Sequence, residues 1–195
     1  MKNEMDNDKK PNENYNSITD NDTKPIRNKF DGTSGLFELL VNELKTMYYI
    51  EKALLKAFPK MIKNSCAFEL IEAITIHFEE TKLHVIRLGE AFSNLDEDPF
   101  LQKSETIDCL LQDVDAMIED TKFGTVRDAG IILSLYKIGH YELATYGILS
   151  IYAELLEEKT IFNLLAESLN EEKITELRLM KIANSIRFKT YESRL

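Results

Sequence analysis

The sequence predicts an all-α protein, and three observations lead to that prediction. The 195 residues include only 7 Gly and 4 Pro, which argues against a turn-rich β structure. Long segments rich in Leu, Ile, Ala, Glu and Lys place their apolar residues at steps of three and four, the period of an amphipathic helix. One such segment covers about 30 residues and would form a helix roughly 45 Å long. That length favours a helical bundle over a compact orthogonal fold.

Composition limits the domain count and the partners. With 44% apolar residues, the chain can fill one substantial core, so a single domain is expected. The net charge of −10 disfavours nucleic acids and anionic membranes, because both are bound by clustered Lys and Arg. We therefore expect neither of them as a partner.

Cysteine usage and hydropathy predict a cytoplasmic protein. Cys66 and Cys109 form no disulfide framework and no C-x-x-C pair, which is typical of helix residues in a reducing compartment. No segment reaches about 18 uninterrupted apolar residues. The Asn- and Asp-rich N-terminus also lacks the apolar core of a signal peptide.

The chain divides into three predicted regions. Residues 1–33 are polar and cannot bury enough surface to offset chain entropy, so they are expected to be a disordered tail. The alternative is a docking arm that becomes ordered on a partner. Residues 34–187 form the predicted bundle, and residues 188–195 a charged C-terminal tail without periodicity.

The first long helix is predicted to begin after an N-cap at Thr33 or Ser34. Glu51 lies on its apolar stripe, four residues after Met47. Pro59 is expected to end or kink the helix, with a turn over 60–65. The apolar positions of this stripe are Leu36, Leu40, Met47, Leu54 and Phe58.

The second long helix is predicted over 65–94 and carries polar groups in the middle of its apolar face. His77, Glu80 and His84 fall on one face, and each could ligate a metal ion. Burying such groups unpaired would cost roughly several kcal/mol each. The remaining residues of this face are Leu70, Ala73 and Leu88.

A connection over 94–104 leads to an amphipathic accessory helix that begins at Ser104 and ends near Thr121. This helix lies in the crossover between the second and third long helices. Its apolar residues are Ile107, Leu110, Leu111, Val114, Met117 and Ile118.

The third and fourth long helices carry further acidic residues on apolar stripes. The third begins at Gly124 and Thr125 and includes Glu142, and a break near 157–160 precedes the fourth, which includes Glu172 and Glu176. The apolar partners are Ile132, Leu135, Ile138, Tyr146 and Leu149 on the third helix, and Leu165, Leu169, Leu179 and Ala183 on the fourth.

These polar positions repeat at long range. The distance along the chain is 91 residues from Glu51 to Glu142, and 92 residues both from Glu80 to Glu172 and from His84 to Glu176. The chain is therefore interpreted as two helix pairs. Each pair contributes one Glu from its first helix and two candidate ligands from its second.

Mixed carboxylates and imidazoles on four helices are typical of sites for iron or manganese, in which carboxylates can bridge two ions. No Lys or Arg on the stripes supplies a counter-charge, so we predict one or two metal ions in the bundle core. The predicted ligands are Glu51, His77, Glu80, Glu142, Glu172 and Glu176.

Each of these residues also has an ordinary structural interpretation. A His on an apolar face can be a hydrogen-bonded core residue, and a Glu on a stripe can reach solvent at the rim. Glu79, Glu157, Glu158 and Glu171 are assigned to solvated faces. The tyrosines nearest the lone glutamates are expected to pack their rings in the core and bond carboxylates through their hydroxyls. They are Tyr48, Tyr49, Tyr141 and Tyr146.

Five short motifs together resemble the YciF-like bacterial stress proteins of the ferritin-like superfamily. They are Glu-Leu-x-x-x-Tyr-x-x-Glu-Lys at 43–52, His-x-x-Glu-Thr at 77–81, Arg-Asp-Ala at 127–129, His-Tyr-Glu-x-Ala-x-Tyr-Gly at 140–147 and Leu-x-Glu-Glu-Lys at 169–173. The resemblance implies a ferritin-like four-helix bundle similar to rubrerythrin, a homodimer, and a di-metal centre at the inward carboxylates and histidines.

Two positions depart from the family pattern. Gly139 stands where family members generally have Glu, so one inward acidic group is missing. Glu176 stands where the family usually has Asp, which keeps the charge on a longer side chain. The metal centre is therefore expected to be incomplete or to hold a single ion.

Two functional hypotheses follow from the sequence. The first is a stress-associated protein that binds one or two iron or manganese ions and carries out oxygen- or peroxide-linked redox chemistry. The second is a metal-free helical stress or interaction protein with a degenerate di-metal site, which Gly139 favours. No nucleophile triad or Gly-rich phosphate loop is visible, so no catalytic residue is assigned and enzymatic activity is left open.

Overall fold

This computed structural model describes residues 32–186, which form five helices. Four long helices form the bundle and one shorter helix lies in a crossover. Their bounds are α1 Gly32–Asn64, α2 Phe68–Asn94, α3 Glu105–Asp120, α4 Thr125–Leu155 and α5 Lys159–Ser185. The predicted tail over 1–33 lies outside the described residues except for its last two, and the predicted tail over 188–195 lies wholly outside them.

The long helices pack in a ring, in which α1 contacts α2 and α4, and α5 contacts α2 and α4. The α3 helix packs outside this ring against α4 and α1. At the start of α4, the Asp128 carboxylate accepts hydrogen bonds from the backbone N–H groups of Cys66 and Ala67, which follow α1. The connection after α2 therefore runs the length of the bundle, as in ferritin-like folds. The predicted fold class is confirmed.

The α1 helix differs from the prediction at both ends. It begins at Gly32, so Thr33 and Ser34 lie in its first turn and do not precede it. It also continues through Pro59 to Asn64. Phe58 and Met61 beside the proline are almost fully buried. Their packing holds the helix together where the proline removes a backbone hydrogen bond.

The boundaries around the crossover agree closely with the prediction. Ser104 caps α3, because its hydroxyl accepts a hydrogen bond from the backbone N–H of Ile107.

The α2 helix begins at Phe68 and not at position 65, which leaves Cys66 in the preceding loop. Cys66 was predicted to be a helix residue, so that prediction is wrong.

The α5 helix is rotated relative to the predicted stripe. Its inward positions repeat every seven residues, with small polar side chains at two of them. Leu169 and Glu176 are only half-buried and Ala183 is exposed, whereas the adjacent Ser168 and Thr175 are buried. The full buried set is Ile161, Leu165, Ser168, Glu172, Thr175, Leu179 and Ile182.

The polar residues lie within an otherwise apolar core. Leu44, Met47 and Leu54 of α1 and Leu135 and Ile138 of α4 are at most 1% exposed. Among the helices of residues 32–186, none combines the length and the hydropathy needed to cross a membrane.

Candidate metal centre

The bundle brings four of the six predicted ligands into its core, one from each long helix. Glu51, His77, Glu142 and Glu172 are at most 2% exposed. Within residues 32–186, one group of three could share an ion, because the donor atoms of His77, Glu142 and Glu172 all lie within 4.8 Å of one another. Four helices thus contribute to one buried polar cluster, as predicted from the long-range repeat of polar positions on their apolar stripes.

His77 and Glu172 form a direct contact at the centre of this cluster. His77 Nε2 lies 3.0 Å from Glu172 Oε1. Desolvation lowers the pKa of His77, but the Glu172 charge and hydrogen bond outweigh that effect and the pKa is raised. Burial in turn raises the pKa of Glu172, and the His77 charge reverses this, so the pKa is lowered. The two groups therefore form an ion pair, which offsets part of the cost of burying each charge.

His84 is a buried residue that the predicted ligand set omitted, although its place on the inward stripe was visible in the sequence. Its Nε2 lies 2.9 Å from Glu171 Oε2, and its Nδ1 lies 3.3 Å from Glu51 Oε1 and 3.6 Å from Glu172 Oε1. Desolvation lowers the pKa of His84, but Glu51 and the hydrogen bond to Glu171 raise it to about 10. The ring is therefore an imidazolium with a carboxylate at each nitrogen.

Glu171 was predicted to lie on a solvated face, and the structure corrects this. Its side chain is 20% exposed and accepts hydrogen bonds from Arg87 at 2.6 and 2.9 Å. Burial raises the pKa of Glu171, but the bonds from His84 and Arg87 lower it to about 2. Glu158 is also half-buried, whereas Glu79 and Glu157 are exposed as predicted.

The counter-charges for the buried acids come from α2. The sequence indicated that no Lys or Arg lies on the stripes, which favoured a metal ion as the missing positive charge. Protonated His77 and His84 supply that charge directly, and Arg87 supplies it at the edge of the cluster. The buried carboxylates that pair with these side chains therefore have counter-charges without a metal ion.

Glu142 differs from the other acids of the cluster, because neither of its carboxyl oxygens has a hydrogen-bond partner among the described residues. Burial raises its pKa well above the ordinary value, and the charges of Glu172 and Glu51 add to that effect. Glu142 is therefore a neutral acid in the core. A buried polar group without a partner costs about 1–3 kcal/mol.

The tyrosine nearest the cluster behaves as predicted. Tyr146 is fully buried and donates a short hydrogen bond to Glu51 Oε1. Burial raises the pKa of Tyr146 well above its ordinary value, and the Glu51 charge raises it further, so the hydroxyl keeps its proton. Tyr49 donates instead to Asp108 of α3, at 2.8 Å. The remaining two, Tyr48 and Tyr141, pack half-buried against the core.

Glu80 and Glu176 are not brought to the cluster. Glu80 accepts a hydrogen bond from Thr175 at 2.9 Å and lies 3.6 Å from Arg178. Position 80 is about 60° around α2 from position 77, because each residue advances a helix by about 100°. Glu176 faces the seam between α4 and α5 because of the rotation of α5. Both residues are partly exposed.

Gly139 lies beside the cluster. A Cβ built at this position would meet Glu172 Oε2 at 3.8 Å, an ordinary van der Waals distance, and no other atom of the described chain within 4 Å outside its own helix. The glycine is therefore not required by a close helix contact. A side chain at position 139 would start beside the Glu172 carboxylate.

The donor atoms of the cluster fit a metal ion. Three buried carboxylates retain oxygens that bond nothing in residues 32–186, namely Glu51 Oε2, both oxygens of Glu142, and Glu172 Oε2. With two imidazoles beside them, these carboxylates make the oxygen and nitrogen set that suits iron or manganese. The site also matches the Glu and His arrangement of ferritin-like bundles in part, with one carboxylate each from α1, α4 and α5.

Comparison with known proteins shows similar chains. The family described as a domain of unknown function, DUF892, matches residues 35–190. Protein YciF of Escherichia coli strain K12 is 33% identical over 149 residues, which are 75% of this chain and 89% of YciF. The crystal structure of the E. coli stress protein YciF matches with a TM-score of 0.73 and 30% identity, covering 76% of this chain and 94% of that one. YcfI of Rhodopseudomonas palustris, described as a candidate structural protein, gives a TM-score of 0.72 and 34% identity, covering 78% and 95%.

Proposed function

Because this chain belongs to the DUF892 family of YciF-like proteins, we propose that it is a stress-associated protein that binds one or two iron or manganese ions in its bundle core. The observation that carries this proposal is Glu142, a fully buried acid whose two oxygens bond nothing in the described chain. Such a group is costly unless it has a ligand to bind.

The residues that would hold the first ion are His77, Glu142 and Glu172, whose donor atoms all lie within 4.8 Å of one another. Glu51 would contribute to a second position through its unpartnered Oε2, with His84 beside it. When bound, iron or manganese would supply one-electron redox chemistry toward oxygen or peroxide.

The chain's own residues would manage protons and water at this site. Loading requires that His77 and Glu142 each lose a proton, because only the deprotonated groups bind metal. Tyr146 fixes the orientation of the Glu51 carboxylate through its hydrogen bond. The surrounding apolar side chains, such as Ile138 and Leu135, exclude bulk water from the cluster.

Metal analysis of protein purified without chelator tests the proposal most directly. Anaerobic titration with manganese(II) would then count the equivalents bound by the wild type, by Glu142→Gln and by Glu154→Gln. Glu154 is an exposed residue of the same helix and serves as the matched control. We expect at least one equivalent in the wild type and the control, and at least a tenfold loss of affinity in Glu142→Gln. A wild type that binds neither manganese nor iron would overturn the proposal.

The second candidate is a metal-free stress or interaction protein, and the ion pairs of α2 favour it. His77, His84 and Arg87 already pair with acids of α1 and α5, so the cluster can act as a purely structural link. This function requires that iron(II) and manganese(II) leave the thermal midpoint unchanged. The first function requires that they raise it.

We also propose that the protein is a cytoplasmic homodimer. A groove of about 390 Å³ between α4 and α5 is lined by apolar side chains, of which Leu133 and Met180 are 56% and 43% exposed. Apolar side chains exposed side by side are typical of interfaces. Light scattering on Leu133→Glu should show a monomer, and Ile148→Glu, elsewhere on α4, should remain a dimer. If both variants form dimers of equal stability, the interface lies elsewhere on the protein.

A further inference from the structure

We propose that Glu176 and His140 form an entry site on the surface, which captures a divalent transition-metal ion and passes it to Glu172 through the gap at Gly139. This inference rests on the proposed binding of metal in the core. It gives a role to Glu176, which the fold keeps out of the core cluster.

The surface pair has the chemistry of a weak metal site. His140 Nδ1 lies 3.6 Å from Glu176 Oε1, and the two side chains are 51% and 28% exposed. Tyr136 donates a hydrogen bond to the same oxygen at 3.0 Å, and its ring lies edge-on to His140 with centroids 4.4 Å apart. One imidazole and one carboxylate suit iron or manganese. Because they are only two ligands, they would also release the ion readily.

Gly139 precedes His140 on α4 and places no side chain between α4 and Glu172. The glycine is partly exposed, and its missing side chain would start 3.8 Å from Glu172 Oε2. That oxygen is buried and has no hydrogen-bond partner among the described residues. The space of the missing side chain therefore lies between a partly exposed stretch of α4 and an unpaired carboxylate oxygen, and we infer that this space is the passage.

The two carboxylates are also in sequence along α5. Glu176 follows Glu172 by four residues, so the two side chains lie one helical turn apart, about 6 Å along the axis. The two carboxylates therefore offer an ion successive ligands one helical turn apart. The net charge of −10 favours the arrival of cations from solvent.

The opposite seam of α5 is less suited to cation entry. Arg87 and Arg178 bridge α2 and α5, bonded to Glu171 and close to Glu80 respectively. These arginines already pair with the carboxylates of the seam, which are therefore less available to an incoming cation. Beside Gly139, the described contacts between α4 and α5 join Glu176 to Tyr136 and to His140, and neither of these partners is an arginine or a lysine.

Stopped-flow loading with cobalt(II), whose visible absorbance reports ligand binding, tests the proposal. The double variant His140→Ala/Glu176→Gln should load at least tenfold more slowly than the wild type and bind the same number of equivalents at equilibrium. Gly139→Leu should also slow loading, because its side chain covers Glu172 Oε2. Gly147→Leu is the matched control, since Gly147 is on the same helix, is also partly exposed, and has no atom near its missing Cβ.

Each possible result bears on the proposal. Unchanged loading in the double variant would overturn the entry site and leave core binding intact. A loss of bound equivalents in the double variant would make Glu176 a core ligand, which also overturns it. A wild type that binds no cobalt, iron or manganese would overturn the proposed function and this inference together. If Gly139→Leu fails to fold, the surface double variant still decides the question.

Discussion

His77 Nε2 lies 3.0 Å from Glu172 Oε1, with the two side chains 2% and 1% exposed. This contact joins α2 to α5 at the centre of the bundle. The Glu172 charge outweighs desolvation and raises the pKa of His77, so the ring keeps a proton on a nitrogen that a metal ion would need. The same pair that stabilises the metal-free protein therefore competes with metal binding.

Metal affinity should increase with pH as a result. Binding displaces the proton of His77, and Glu142 gives up a second because its pKa is well above the ordinary value. For each proton released, the metal affinity increases by up to about tenfold per pH unit, as long as the pH is below the pKa of the group. We expect manganese(II) affinity to rise at least about tenfold from pH 6 to pH 8, with proton release visible to an indicator dye. A flat profile without proton release would contradict the assigned protonation states.

Glu142→Leu should stabilise the metal-free protein. The substitution replaces a neutral acid without hydrogen-bond partners by an apolar side chain of similar size, which should raise the free energy of unfolding by about 1–2 kcal/mol. Urea denaturation measures it, and Glu154→Leu on the exposed face of the same helix is the control. Added manganese(II) should stabilise the wild type and not the variant. A destabilised metal-free variant would mean that Glu142 has a partner, such as a bound water.

Glu172→Leu should have the opposite effect. It leaves the positive charge of His77 buried without its nearest carboxylate, and breaking a buried pair from one side costs about 3–5 kcal/mol. The double variant His77→Leu/Glu172→Leu removes both charges and should recover most of that loss. Urea denaturation of the two single variants and the double variant measures the coupling. Additive losses would show that the two side chains do not interact.

The stability of the metal-free protein should fall as the pH rises from 6.5 to about 10. His84 has a folded-state pKa of about 10 against an ordinary value of 6.5. The contribution of His84 to the free energy of unfolding is therefore complete below pH 6.5 and is lost as the pH rises through the folded-state pKa. Denaturation midpoints across this range should decline in the wild type and change less in His84→Gln. Parallel profiles would assign the pH dependence to other groups.

Gly139→Glu should add a metal equivalent. The structure leaves room for the Cβ, and the new carboxylate would start beside Glu172 Oε2. The change would also recover part of the roughly 1 kcal/mol by which Gly is less favourable than Ala within a helix. Anaerobic titration with iron(II) should count more equivalents than in the wild type. Gly147→Glu, two turns further along α4, should leave the number unchanged. The same stoichiometry in a folded Gly139→Glu would show that position 139 is not a vacated ligand site.

The sequence alone determined the fold class, the helices and the depth of the polar positions. The length of a helix and the position of its apolar stripe depend on residues three and four apart, so this information is local to each segment of the sequence. Glu51, His77, Glu142 and Glu172 were accordingly placed on the right helices and at the right level. Ser104 was recognised as a helix start from its own local signal.

Only the tertiary structure decided which polar groups meet. A stripe read from sequence is uncertain by about one residue, or about 100° of rotation, and that rotation separates the buried Thr175 from the half-buried Glu176 on α5. Contacts between helices also decided the charges, because the acids of α1 and α5 meet imidazoles of α2 that are distant in the chain. Side-chain orientation around each helix axis depends on packing against the neighbouring helices, and this information is not local to any segment of the sequence.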